Sequence, residues 1–90
     1  MALSKVTVID KIEVLEMGQV QIRTVTRVME DGVELSSSFH RHVVVPSIKT
    51  GNTWADTDIS GEDARVQAIA NATWTSAVKT AYQEMEDAQS

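Results

Sequence analysis

The sequence contains no cysteine and a single proline. Disulfides and thiolate metal centres are therefore excluded, and the redox compartment leaves no mark on the chain. Aromatic residues are scarce, only Phe39, Trp54, Trp74 and Tyr82. A core must be built mainly from Val, Ile, Leu, Met and Ala. No apolar run approaches the roughly 18 residues of a membrane span. The N-terminal residues 1–5 interrupt any signal-peptide apolar region with polar side chains. A protein that neither spans a membrane nor follows the general secretory route is expected. No block of basic residues is present either. The net charge is −5, from 8 basic and 13 acidic residues. Residues 1–46 carry five basic residues against six acidic ones, and residues 47–90 carry three against seven. Binding to a nucleic-acid backbone is not expected of such a chain.

At 90 residues the chain is expected to form one domain over residues 1–90. Chains of this size bury only about 60–65% of the surface exposed when unfolded. The core is thin, and a partner would add to it.

Residues 5–46 carry the two-residue alternation of strands. Val6, Val8, Ile12 and Val14 fall on even positions, interrupted by Asp10. Val20, Ile22, Thr24, Thr26 and Val28 are also even and all β-branched. The third run places Leu35, Phe39, Val43 and Val45 on odd positions. Glu16-Met17-Gly18 fits a three-residue hairpin loop with Gly18 left-handed, pairing Val14 with Val20. Asp31-Gly32 fits a two-residue turn of type I′, pairing Val28 with Leu35 and Thr24 with Phe39. These loops would bring all three apolar sets to one face. Pro46 ends the third strand.

Residues 47–60 are polar and turn-rich and read as a long connection. A helical segment is expected over 61–88. Ser60-Gly61-Glu62-Asp63 resembles a capping box. Val66, Ile69, Ala70, Thr73, Trp74, Ala77, Val78, Ala81, Tyr82 and Met85 recur at three- and four-residue steps as one apolar stripe. Thr75-Ser76 would cap a second helix if the segment breaks. The fold class expected is α+β: a three-stranded antiparallel meander packed against one long or two short C-terminal helices.

Few residues invite chemistry. His40 and His42 share one side of their strand, but the chain has no other histidine, and two ligands fall short of a three-ligand metal centre. Asp56-Thr57-Asp58-Ile59-Ser60-Gly61 matches the first half of an EF-hand loop, yet Gln67 stands where its closing glutamate belongs. No phosphate-binding glycine loop, cysteine nucleophile or nucleophile elbow is present. The expectation is no enzyme, no catalytic residue, no cofactor and no metal.

By parity, the sheet face away from the helix would carry Ile9, Val25, Met29 and Val44 beside Arg23, Arg27, His40 and His42. Such a mixture of apolar side chains with Arg and His suits a docking face. Trp54 in the connection is a candidate anchor.

Residues 40–46 (His-Arg-His-Val-Val-Val-Pro) and residues 60–71, with Trp74-Thr75 behind them, carry a resemblance. So do Glu30-Asp31-Gly32 and the Arg23–Arg27 strand. Together they resemble small proteins of tailed bacteriophages encoded near tail or fibre genes. The likeness covers most of the chain outside residues 47–59. In those relatives a shorter acidic turn joins the His-Arg-His strand to the helix, so the stretch with Lys49 and Trp54 looks like an insertion. The resemblance implies a non-enzymatic virion structural or assembly protein, made in the host bacterial cytoplasm. It would pack against itself or a larger virion protein of the tail, fibre or capsid. The alternative is a free phage-encoded protein that binds a host protein.

Overall fold

A computed structural model describes residues 2–89. Three long antiparallel strands come first: β1 (Leu3–Val14), β2 (Val20–Glu30) and β3 (Val33–Val44), in the order β1-β2-β3. A small hairpin follows, β4 (Ser47–Thr50) and β5 (Thr53–Asp56). Two helices close the chain, α1 (Ala64–Thr73) and α2 (Ser76–Gln89). The fold is α+β, as the residue pattern predicts.

The first turn forms as expected. Leu15 N–H donates to the Gln19 carbonyl at 2.8 Å, and Gly18 N–H to the Leu15 carbonyl at 3.0 Å. Gly18 takes φ +88°, which only glycine adopts without steric cost. Val14 pairs with Val20 and Ile12 with Ile22. At the second turn Asp31 and Gly32 have φ +52° and +83°, as a type I′ turn requires.

The expected register then fails in two places. β1 bulges at Asp10, so Ile9 pairs with Thr24 and Val8 with Val25. β3 bulges at Leu35, so Val28 pairs with Ser36, Thr24 with His40, and Val25 with Phe39. Each bulge inserts one residue and reverses the face of everything beyond it. The apolar sets do not share one face. Ile12, Val14, Val20, Ile22 and Val44 stay together, while Val6, Val8 and Phe39 turn to the other side. Leu35 and Phe39, expected in the core, are 56% and 49% exposed. An insertion between Asp31 and Gly32 therefore disturbs an exposed arm instead of the core.

The core sits at one end of the meander. Val20, Ile22, Val66, Ala70 and Trp74 are buried together, with Ile9, Ile12, Val44, Ile59, Ile69 and Val78 packed around them. The helical stripe supplies its half of this layer. Asp63, not Ser60, caps α1: its carboxylate accepts from the Arg65 N–H at 2.9 Å. Ser60 N–H instead donates to Asp58 Oδ1 at 2.9 Å, closing a local turn three residues earlier. The helix breaks after Thr73, and Thr75 Oγ1 accepts from the Val78 N–H at 3.3 Å to start α2. Trp74 fills the corner, and its Nε1–H donates to the Gly18 carbonyl at 2.7 Å.

Residues 47–60, expected as an open connection, contain the β4–β5 hairpin around Gly51-Asn52. It packs on α2. Gln83 Nε2 donates to the buried Ser47 Oγ at 3.1 Å, and the Trp54 and Tyr82 rings meet edge-on at 6.2 Å.

The helices cover only part of the strands. The molecule measures 56 × 24 × 22 Å, with a radius of gyration of 17.1 Å. A compact chain of this length would have about 12 Å. The outer halves of β1–β3, with their turn at Asp31-Gly32, project as an arm with solvent on both faces.

Candidate interaction surface

The docking residues expected from parity are divided by the bulges. Ile9 and Val44 lie on the covered face and pack against the core. His40 and His42 also lie on that side, opposite Thr24 and Ile22. Val25, Met29, Arg23 and Arg27 face the uncovered side as expected. Val25 is only 1% exposed, between Val8 and Phe39 on the neighbouring strands. Met29 is half-buried near the tip of the arm, opposite Glu34. Trp54 belongs to β5 and is half-buried against Tyr82, with Lys49 Nζ 5.7 Å from its ring centre. It serves as a structural side chain of the small hairpin.

Sequence parity missed Phe39, which it assigned to the buried side, and left Arg41 off the docking face. Both occupy the uncovered face, where Phe39 is the hub of a small cluster. The Arg23 guanidinium lies 4.7 Å above its ring centre and that of Arg41 5.8 Å. Both distances permit cation–π attraction. Arg23 is further clamped by Asp10, which accepts from Nε at 3.0 Å and from Nη2 at 2.8 Å. The interruption of alternation at Asp10 was the visible sign of this arrangement. The extra residue of the bulge carries the carboxylate that holds Arg23. At the tip side, Arg27 Nε meets Glu34 Oε1 at 3.2 Å.

These contacts set an acid-side dependence. The Arg23 hydrogen bonds, followed by its charge, hold the Asp10 carboxyl below its ordinary 3.8. Asp58 is lowered by the Ser60 backbone N–H, and Asp87 by its hydrogen bond to Lys49. A depressed folded-state value means that the stabilisation is present above the ordinary value and is lost as pH falls through the lowered one. Between about pH 6 and pH 3 the urea midpoint is expected to fall less in Asp10→Asn than in the parent chain. An equal fall in both would show that the Asp10–Arg23 bond contributes nothing on the acid side.

Neither suspected ion site takes shape. His42 Nε2 donates to Glu62 Oε1 at 2.7 Å, which ties β3 to the loop before α1. The His40 ring lies 6.2 Å away. Among the described residues no three His, Cys, Asp or Glu side chains cluster as a metal site would require. Asp56 bonds to Lys79 Nζ at 3.0 Å, and Asp58 to the Ser60 N–H. Both carboxylates of the half EF-hand are thus engaged by the protein itself. A chelator is expected to leave the melting temperature unchanged, and added calcium to raise it by nothing measurable. A rise with calcium alone would restore the loop as a site.

No protein-family model, curated protein or solved structure matches this chain. Its function has to be argued from its own surface. No helix among the described residues is long and apolar enough to cross a membrane. The outstanding feature is the arm. Val6, Val8, Leu35 and Phe39 are all at least a third exposed there. The outer edges of β1 and β3 pair with no further strand among the described residues. Such edges and apolar side chains are the raw material of protein–protein packing.

Proposed function

We propose that this chain is a non-enzymatic structural or assembly protein of a tailed-bacteriophage virion. It acts by packing its projecting arm against copies of itself or a larger virion protein. The observation that carries the reading is the arm itself. A chain this short gains little by extending three strands beyond the cover of its helices, because the apolar side chains there remain in water. A partner laid on the arm would bury Val8, Phe39 and Leu35 and extend the open strand edges. The resemblance of the His-Arg-His strand and the Ser60–Asn71 segment to small phage proteins supplies the biological setting. The β4–β5 hairpin, the stretch that the resemblance leaves uncovered, packs within the fold and has no part in the proposed contact.

Mass spectrometry of purified virions tests the reading. Peptides of this chain in fixed ratio to a known tail or capsid protein are expected. Their absence from virions, with the protein abundant in infected cells, would overturn it in favour of a free protein acting on a host partner.

A further inference from the structure

Lys11, Arg23 and Arg41 stand directly opposite one another across β1, β2 and β3. They form a row of three cations on the face that the helices leave bare. Like charges directly opposite in a sheet repel and destabilise it. Asp10 neutralises Arg23, and Glu13 reaches Lys11 only at 4.0 Å, with both side chains about half in water. Arg41 makes no ion pair among the described residues. Its guanidinium rests near the ring of Phe39. A cavity of about 190 Å³ opens among these cations, lined also by Glu13, Gln21 and Val43.

The same chain holds the opposite defect elsewhere. Glu84, Glu86 and Asp87 occupy the last turns of α2, and no basic residue stands in the final turn. Carboxylates are unfavourable there, because the helix C-terminus already carries negative partial charge. Lys49 holds Asp87 at 2.8 Å and so fixes this end of the helix beside β4. Val78 of α2 packs on the core, on the covered side of the meander. The acidic turns thus sit beside β4, and none of their carboxylates forms an ion pair with Lys11, Arg23 or Arg41 among the described residues.

We infer that the cation row of one copy receives the acidic last turns of α2 from a second copy, with Glu84 directed to Arg41. This rests on the packing function proposed above and adds a contact to it, because the cation row lies inward of the arm, next to the Ile12–Ile22 row. Two features that are each unfavourable alone become complementary when joined, and Phe39 supplies an apolar floor beside the charges. The contact joins two different patches, so it either closes reciprocally as a two-fold dimer or, repeated head-to-tail, builds a ring or a filament.

Light scattering or sedimentation of the purified chain over a concentration series tests the inference. The mean mass is expected to rise above the 9.9 kDa of one chain at low salt and to return towards it at about 1 M salt, as exposed charges are screened. Arg41→Glu and Glu84→Arg should each raise the concentration needed for assembly about tenfold or more. The double swap Arg41→Glu with Glu84→Arg should restore assembly, which an interface elsewhere would not do. If Arg41→Glu does not fold by circular dichroism, Lys11→Glu at its half-exposed position provides the same test. A monomer at every concentration, assembly indifferent to these charges, or a double swap that stays dissociated would overturn the inference. Each failure is separable from that of the virion reading. Peptides in virions combined with charge-indifferent assembly would leave the packing role standing and remove this interface. Charge-dependent assembly without virion peptides would do the reverse.

Discussion

Gly18→Ala is expected to destabilise the protein by about 3 kcal/mol or more, a large fraction of the roughly 5–13 kcal/mol that holds a chain of this size folded. Two independent costs meet at this residue. Its φ of +88° lies where an L side chain is strained, a cost of roughly 1 kcal/mol or more. A Cβ added here would also stand 2.6 Å from Val78 Cγ1 and 3.0 Å from Pro46 Cγ. Neither neighbour yields easily, since Pro46 is buried and Val78 packs on the core. Overpacking of this kind costs about 1–3 kcal/mol. Relief would come only by moving the loop away from α2, which would break the bond from Trp74 Nε1 to the Gly18 carbonyl. Gly32→Ala makes the matched control. Gly32 also has positive φ, +83°, but no atom lies within 4 Å of its added Cβ. Urea denaturation of the two variants separates strain from crowding. Equal losses would mean that α2 does not press on the loop.

What was legible in the sequence and what was not divide along a physical line. Turn chemistry is local, so Glu16-Met17-Gly18 and Asp31-Gly32 could be read from a few residues. The helical stripe was equally plain, because Val66, Ala70 and Trp74 follow at four-residue steps with Tyr82 eight residues on, and these are the buried residues of α1, its C-cap and α2. Even the break at Thr75 had its capping hydroxyl. Strand faces are less local. Each depends on counting pairs outward from a turn, and one extra residue inverts the count. The bulge at Asp10 left a trace in the broken alternation. The bulge at Leu35 left none, since Leu is an ordinary strand residue and Ser36-Ser37-Ser38 beyond it carry no face preference. Hence Phe39 was assigned to the buried side, Arg41 was left off the docking face, and Ile9 and Val44 were assigned to the surface. The candidate interaction face suffered most, because it was defined wholly by parity. The β4–β5 hairpin was missed for another reason. Its strands are four residues each, too short for alternation to stand out.

Ile22→Ala is expected to cost about 3 kcal/mol, whereas Leu35→Ala should change stability by no more than about 0.5 kcal/mol. Both are large apolar side chains on long strands of one sheet, and sequence parity placed both in the core. The structure separates them. Ile22 is 1% exposed, in the middle of the layer formed with Val20, Val66, Ala70 and Trp74. Removing its outer carbons leaves a cavity that two helices and a sheet cannot collapse without losing other contacts. Leu35 is the extra residue of the β3 bulge, more than half in water, so little burial is lost with it. The measurement is urea denaturation of the isolated chain at a concentration low enough to keep it monomeric. Equal and large losses would return Leu35 to the core and remove the bulge that turns Phe39 and Arg41 outward. The cation row on the bare face would fall with it, because Arg41 stands opposite Arg23 only in the bulged register. Repeating the comparison at high protein concentration adds a second reading. If the arm packs on a partner, Leu35→Ala should weaken assembly while the monomer stays as stable as the parent. Ile22→Ala would lower both together.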